Sequence, residues 1–300
     1  MVYDENQFTD STPMPTSAQP PLPFQAAIDY DTLVSGWAGE VELGKHYQLE
    51  LGVQYGSDEA QSYDVFYNKN WVKQQRFAPI LVFWHGGGWT NGYTAWCYFM
   101  AQRALELGFV FVVPSYRLAP QYKLDCAHAD SIAALAHIAQ NAFDYGGHPK
   151  MMVLAGHSAG GHLAALLALK AGALEAAGIR PRHILACMPI SGIMDLHHAA
   201  PPAGSLEERV YSMVLAKPED DVALSPINHT ENNEIRFDLT VGELDSERVR
   251  RSNAQLLERI QGQRGRRVEL HTVAGASHFD THTALYEPNN PWWNRLKGYA

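Results

Sequence analysis

The sequence predicts an α/β fold with a mostly parallel central sheet, helices on both faces and a small lid. Six short apolar runs, rich in β-branched or aromatic residues, alternate with segments that have the apolar period of a helix. Short buried strands separated by helices are typical of a parallel sheet that is covered on both faces. Hydrophobic residues make up 46% and charged residues 18% of the chain, which excludes a wholly disordered protein.

The chain begins with a segment, residues 1–45, that we interpret as an N-terminal arm. Residues 1–25 carry five of the 17 prolines, which favours an extended or mobile stretch over a helix. Residues 26–45 are predicted to form one or two short helices. The arm has two interpretations, a simple tail or a modest lid over a pocket.

Residues 46–300 are predicted to form the main domain. An antiparallel strand pair at 47–55 and 62–67 opens it. Further strands are predicted at 79–84, 109–114, 151–155, 184–190, 235–241 and 267–273, with helices at 94–107, 126–141, 159–171 and 246–261. An insertion at about 192–224 follows a strand, so we expect it beside the rim where open α/β sheets bind ligands.

Charge and cysteine content limit the partners and the compartment. The chain has 23 basic and 32 acidic residues, a net charge of −9, and no basic run, so neither nucleic acid nor a membrane is expected as partner. Three widely spaced cysteines and the absence of an HExxH or three-ligand spacing predict no metal and no cofactor. Because the first basic residue is Lys45, no secretory signal is expected, and we predict a cytoplasmic monomer or homodimer.

The strongest motif is Gly156-His157-Ser158-Ala159-Gly160, which follows one predicted strand and opens the next predicted helix. A serine between a strand and a helix of this kind lies on a sharp, strained turn. Small residues on either side allow the backbone segments of the turn to approach each other closely. The helix that starts there also favours developing negative charge. The alternative is a glycine-rich turn with an idle serine. The context favours Ser158 as a nucleophile.

The letters HGGGW immediately follow another predicted strand. Glycines allow backbone N–H groups to converge on a developing oxyanion without a clash of side chains. We therefore predict an oxyanion hole made by the amides of Gly87, Gly88 and Ala159. His85 is predicted to orient this loop, and Trp89 either shapes the acyl pocket or simply packs.

A serine nucleophile needs a base and an orienting acid, and in this architecture the acid and then the histidine follow the serine along the chain. Asp245 lies just beyond a predicted strand, on the same rim as Ser158. Glu243 and Asp238 compete with it, but Asp238 falls within the strand and Glu243 lies closer to the strand than the loop requires. We therefore favour Asp245 as the acid.

The base is predicted by the same reasoning. His278 lies just beyond the last predicted strand, again on the rim that carries the serine. His271 falls inside that strand and His282 is expected on the helix that follows. Both are worse placed, so His278 is the predicted base.

With these motifs the chain resembles the α/β-hydrolases of the group that contains hormone-sensitive-lipase-like esterases, kynurenine formamidases (arylformamidases) and feruloyl or acetyl esterases. HGGGW, SYRLAP at 115–120 and GHSAGGHLA at 156–164 carry the likeness. SYRLAP is typical of the lipase-like branch, although Gln121 replaces the frequent following acid. GELDS at 242–246 and HFD at 278–280 look more like the formamidase branch. The likeness covers about residue 47 to the end.

The resemblance implies an α/β-hydrolase fold, a triad of Ser158, Asp245 and His278, and the oxyanion hole already inferred. It implies hydrolysis of a small-molecule ester through an acyl-enzyme, and we favour a carboxylesterase. An arylformamidase acting on N-formylkynurenine or a similar formamide is the alternative. A ligand-binding protein that has kept the fold without catalysis is a more distant one, since no triad member is missing.

Overall fold

Eight strands form one sheet in the computed structural model, which describes residues 19–263 and 267–300. The strands are β1 Tyr47–Gln54, β2 Ser62–Asn68, β3 Ala78–Trp84, β4 Val110–Pro114, β5 Gly147–His157, β6 Ile184–Ile190, β7 Phe237–Gly242 and β8 Val268–Val273. Their order is β1-β2-β4-β3-β5-β6-β7-β8. β2 pairs antiparallel with β1 and β4, and all other pairs are parallel. The predicted α/β class, the mostly parallel sheet and all eight predicted strands are confirmed.

Helices cover both faces of the sheet. They are α1 Gln25–Ala38, α2 Lys69–Gln74, α3 Ala101–Glu106, α4 Leu124–Asn141, α5 Ala159–Leu169, α6 Ala171–Ala176, α7 Leu206–Arg209, α8 Asp220–Ala223, α9 Glu247–Gln261, α10 Asp280–Thr283 and α11 Pro291–Lys297. The segment predicted as one helix at 94–107 consists of two types of helix. Thr94–Met100 is a 3₁₀ helix, and only α3 is α-helical. Such tighter turns are frequent at the N-termini of helices. Throughout the described residues, each helix is too short or too polar to span a bilayer.

The central strands are buried on both faces, as their continuous apolar sequence predicts. In β3, Val82 and Trp84 pack on one side and Leu81 and Phe83 on the other. Side chains alternate across a strand, so each strand contributes to both halves of the core. The second half also receives Trp292–Trp293 of α11, whose side chains are buried. These tryptophans therefore pack in the core.

The N-terminal arm packs against the domain through α1. Residues 1–18, including part of the predicted proline-rich stretch, lie outside the described residues. Tyr30 of α1 is buried, and its hydroxyl lies 2.8 Å from Nδ1 of His282. The Trp96 indole donates a hydrogen bond of 2.7 Å to Asp31. α1 is therefore held on the domain by polar contacts as well as apolar ones.

Candidate active site

Ser158 lies between the last residue of β5 and the first residue of α5. Its backbone has φ 55° and ψ −117°, a conformation that is rare for a residue with a side chain. This strain is the geometry of a nucleophile elbow, which lifts the hydroxyl out of the sheet edge. The motif at residues 156–160 therefore forms the strand–turn–helix that the sequence predicts.

The glycines of the motif let three backbone segments approach closely. A Cβ on Gly160 would lie 2.0 Å from the carbonyl oxygen of Trp84, at the end of β3. A Cβ on Gly156 would lie 2.5 Å from the backbone of Gly160. Both positions thus require glycine, because any other residue would push α5 away from the strand beneath it.

The structure brings the three predicted triad residues together. His278, which follows β8, has Nε2 at 2.9 Å from Oγ of Ser158. Its Nδ1 lies 2.6 Å from Oδ1 of Asp245, which follows β7. Together these contacts form a continuous chain of hydrogen bonds from a buried carboxylate to the serine hydroxyl.

The Asp245 carboxylate is held by two further donors. Its Oδ2 accepts hydrogen bonds from the Ser191 hydroxyl at 2.6 Å and from the Gly242 amide at 2.8 Å. Burial alone raises the pKa of Asp245, but the hydrogen bonds from His278, Ser191 and Gly242 outweigh it and hold this pKa below its ordinary value. The group is therefore an anion that can stabilise a charged imidazole.

The competing acids have other partners. Glu243 is exposed and accepts a hydrogen bond of 2.7 Å from the Gly275 amide. Asp238 pairs with the Arg295 guanidinium at 2.9 Å. Of the three acids considered, the structure places only Asp245 against His278.

Sequence patterns did not identify the residues that support His278 and Asp245. The backbone oxygen of His278 accepts a hydrogen bond of 2.8 Å from Nε2 of His157 and lies 2.7 Å from the Thr281 hydroxyl. Thr281 in turn lies 2.8 Å from the Ser191 hydroxyl. The available signals were positional, since His157 precedes the nucleophile and Ser191 follows β6 directly. These contacts fix the loop that carries His278.

The HGGGW loop lies against the serine. Gly87 and Gly88 have φ of 113° and 62°, and both line the same cavity as Ser158. A Cβ on Gly87 would lie 2.1 Å from the Asn91 carbonyl, so the tight turn requires glycine there. Ala159 begins α5, and its amide has no acceptor within the helix. Gly87 and Gly88 thus lie at the cavity with Ser158, and the oxyanion hole stays a prediction.

His85 and Trp89 are both buried in this loop. Nδ1 of His85 donates a hydrogen bond of 2.7 Å to the Gly86 carbonyl, and the ring stacks on Tyr116 at 4.5 Å between centroids. Burial lowers the pKa of His85 to about 4, so the ring is neutral near pH 7. Trp89 packs edge-on against His162 and also lines the cavity. Trp89 thus has both a packing contact and a place at the cavity, and its role in shaping an acyl pocket stays a prediction.

A cavity of about 360 Å³ opens beside the serine and the histidine. Its walls come from the HGGGW loop, the arm and the insertion, and most of its lining side chains are apolar. The arm contributes Leu22, Phe24, Ala27 and Tyr30, and the insertion contributes Ile193, Leu206, Val210 and Val214. The arrangement can bind a small apolar molecule next to an activated hydroxyl.

A family comparison agrees with this geometry. The sequence model described as alpha/beta hydrolase fold matches residues 81–281, which contain every triad and oxyanion residue named above. The chain belongs to the alpha/beta hydrolase fold family. The resemblance seen in the motifs is thereby confirmed for this hydrolase-fold chain at the level of the family.

Several curated relatives are similar over less than half of the chain. Esterase LipQ of Mycobacterium tuberculosis is 36% identical over 131 residues, which are 41% of this chain and 30% of LipQ. Esterase LipC of the same organism is 35% identical over 128 residues, 42% of this chain and 31% of LipC. A probable isoprenylcysteine alpha-carbonyl methylesterase of Oryza sativa is 29% identical over 144 residues, 47% of this chain and 34% of that protein. The match thus spans about a third of the length of these relatives.

Solved structures share the fold over nearly the whole hydrolase-fold chain. A putative thioesterase from Silicibacter sp. superposes with a TM-score of 0.72 and 23% identity, covering 90% of this chain and 94% of that one. The thermostable carboxylesterase EstE1, from a metagenomic library, gives 0.71 and 19%, covering 91% and 95%. At these identities the likeness concerns the fold.

One group of side chains outside the cavity has the chemistry of metal ligands. Asp238, Glu269 and His271 lie together on β7 and β8, with their ligand atoms within 4.8 Å of one another. Both oxygens of Asp238 are engaged by Nε of Arg295, at 2.9 and 3.1 Å. A cation already compensates the buried carboxylate, so the group fits a structural ion pair.

Buried neutral histidines predict a loss of stability in mild acid. Burial lowers the pKa of His85 and His128 to about 4 and that of His162 and His282 to about 3, against 6.5 for the ordinary group. These histidines take up protons at a higher pH in the unfolded chain than in the folded protein. The free energy of unfolding is therefore greatest above about pH 6.5 and falls as the pH decreases towards 4. Each histidine contributes about 2 kcal/mol of this loss between pH 7 and pH 5.

Urea unfolding at pH 7 and pH 5 measures this effect. His162→Gln is expected to weaken the pH dependence by about one proton, whereas His46→Gln, at an exposed position, leaves it unchanged. Equal stability of the unsubstituted protein at the two pH values would show that these rings are not kept neutral by the fold.

Proposed function

We propose that the protein is a serine hydrolase that cleaves small carboxylic esters through an acyl-enzyme on Ser158. The hydrogen-bond chain from Asp245 through His278 to Ser158 carries this proposal, at 2.6 and 2.9 Å. It ends at an apolar cavity large enough for a small substrate. The esterases among the sequence relatives support the same reaction class.

In the acylation step, the serine, the histidine, the aspartate and the backbone amides each act from the position they have in the structure. Oγ of Ser158 attacks the ester carbonyl while Nε2 of His278 takes the hydroxyl proton. The Asp245 anion holds the tautomer of His278 and stabilises the imidazolium. The amides of Gly87, Gly88 and Ala159 are proposed to donate to the oxyanion, and the loss of one such donor costs about 3–4 kcal/mol of transition-state stabilisation.

In the steps that follow, His278 acts first as an acid and then as a base. The His278 imidazolium gives its proton to the leaving alcohol as the carbon–oxygen bond breaks. Water then enters, His278 removes one proton from it, and the resulting hydroxide attacks the acyl-enzyme. Collapse of the second tetrahedral intermediate returns the proton to Ser158 and releases the carboxylic acid.

We also propose roles for the segments outside the central sheet. Residues 1–45 act as a modest lid on the domain of residues 46–300, which is supported by the position of Leu22 and Tyr30 in the cavity wall. The insertion at about 192–224 shapes the substrate pocket from the opposite side. The three cysteines are free thiols, which supports a cytoplasmic compartment.

The deciding experiment compares kcat/KM for 4-nitrophenyl acetate and for N-formylkynurenine, with the Ser158→Ala protein as the blank. We expect ester turnover above about 10⁴ M⁻¹s⁻¹, which is the lower end for typical enzymes, and much weaker deformylation. A large preference for the formamide would replace the esterase proposal with an arylformamidase that keeps the same nucleophile. Turnover of neither substrate above the blank would refute the hydrolase proposal and favour a binding protein.

A further inference from the structure

Arg209 places a positive charge in the wall of the otherwise apolar cavity. It is the last residue of α7, within the insertion, and its side chain is half-buried. Its Nη2 donates a hydrogen bond of 2.9 Å to Oγ1 of Thr90. Thr90 follows the HGGGW loop directly and also lines the cavity. The guanidinium therefore sits on the same wall as Gly87 and Gly88.

No carboxylate of the described residues forms an ion pair with Arg209. The other cavity-lining arginine, Arg248, differs in this respect. It pairs with Glu207 at 3.4 Å and donates to the carbonyls of Asp195 and Leu196. Glu207, the acidic side chain nearest to Arg209 in the cavity lining, is thus already engaged.

Among residues 19–263 and 267–300, the half-buried Arg209 guanidinium has one neutral partner, which leaves its charge under-compensated. A guanidinium has five N–H donors, and only the contact with Thr90 uses one of them within the described part of the chain. Burial lowers the pKa of Arg209 below its ordinary value, yet an arginine stays protonated at neutral pH. Removing a charge from water is costly unless an opposite charge compensates it, so this wall favours an anion.

We propose that Arg209 binds a carboxylate of the substrate, so that the preferred esters carry an anionic group in addition to the scissile bond. This inference rests on the proposed function and specifies its substrate class. The planar fork of a guanidinium matches a carboxylate in two parallel hydrogen bonds. The surrounding apolar residues Val210, Val214 and Ile193 fit a hydrocarbon body between the carboxylate and the ester.

A purely structural role for Arg209 gives a different expectation. In that case its contact with Thr90 would only hold the oxyanion loop, since Thr90 also receives a hydrogen bond of 2.8 Å from Asn91. Removal of Arg209 would then slow charged and neutral substrates equally. Binding of a carboxylate instead predicts a loss confined to the charged ones. Matched pairs of substrates therefore separate the two roles.

The experiment measures kcat/KM of two pairs of esters. The first pair is 4-acetoxybenzoate and its methyl ester, with the carboxylate on the alcohol part. The second is mono(4-nitrophenyl) adipate and 4-nitrophenyl hexanoate, with the carboxylate on the acyl part. Arg209→Met is expected to lower kcat/KM for at least one carboxylate substrate by about 10- to 100-fold, mainly through KM, and to change its neutral partner by less than about twofold.

Further variants complete the test. Arg209→Lys retains the charge and should restore part of the loss, while Arg251→Met, at an exposed position of α9, should change nothing. Equal losses for charged and neutral esters, reproduced by Thr90→Val, would overturn the inference and leave the hydrolase proposal intact.

Binding to the Ser158→Ala protein tests the carboxylate site without turnover. Calorimetry should show that at least one carboxylate ester, 4-acetoxybenzoate or mono(4-nitrophenyl) adipate, binds more tightly than its neutral partner, and Arg209→Met should remove that difference. Equal binding within both pairs would refute the inference. If the unsubstituted protein hydrolyses no ester but this binding difference is present, the hydrolase proposal fails while the carboxylate site stands.

Discussion

Replacing Ser158 with alanine is expected to lower kcat for a 4-nitrophenyl ester by about 10⁶-fold, the loss typical of a catalytic serine. Alanine keeps the Cβ atom, so the backbone at φ 55° carries the same strain in both proteins. The only atom removed is the hydroxyl oxygen, 2.9 Å from Nε2 of His278. Steady-state kinetics, with thermal unfolding to establish that the variant is folded, measures the effect.

Two comparisons make this result specific to the nucleophile. Ser57→Ala, in the exposed turn between β1 and β2, should retain the full kcat. Mass spectrometry during turnover should find one acyl group on the unsubstituted protein and none on Ser158→Ala. A Ser158→Ala protein that keeps more than about 1% of kcat would mean that another group attacks the ester.

The sheet and the strained turn at Ser158 could be predicted because both depend on short stretches of sequence. Each strand is a short apolar run bounded by turn residues, and the elbow needs only β5, the glycines around Ser158 and the start of α5. The proximity of Asp245 and His278 followed from topology. β7 and β8 are parallel neighbours, so Asp245 and His278, which follow them, come to one edge of the sheet.

The supporting contacts could not be predicted because they join residues that are far apart in sequence and common in type. Ser191 meets Asp245 across 54 positions and Thr281 across 90. A serine after one strand and a threonine after another carry no local signal of this network. The same holds for Arg209, whose contact with Thr90 spans 119 positions.

The network around Asp245 determines how an asparagine would sit in its place. The Gly242 amide and the Ser191 hydroxyl both donate to Oδ2, and the amide, which can only donate, requires an oxygen at that position. The asparagine NH₂ group would therefore occupy the place of Oδ1 and face Nδ1 of His278. There it donates a hydrogen bond, which leaves the histidine proton on Nε2. A protonated Nε2 cannot accept the proton of Ser158.

Asp245→Asn is accordingly expected to lower kcat by about 10⁴-fold at neutral pH, with little change in KM or in the thermal midpoint. Glu243→Gln is the matched control, because Glu243 was the competing acid and its carboxylate contacts the Gly275 amide instead of His278. It should retain nearly full kcat. A loss of comparable size in Glu243→Gln, or a nearly unchanged kcat in Asp245→Asn, would contradict this prediction. Either result would mean that the contact of 2.6 Å between Asp245 and Nδ1 of His278 does not orient the proposed base. The two variants are expected to differ because Asp245, and not Glu243, accepts the hydrogen bond from Nδ1–H of His278.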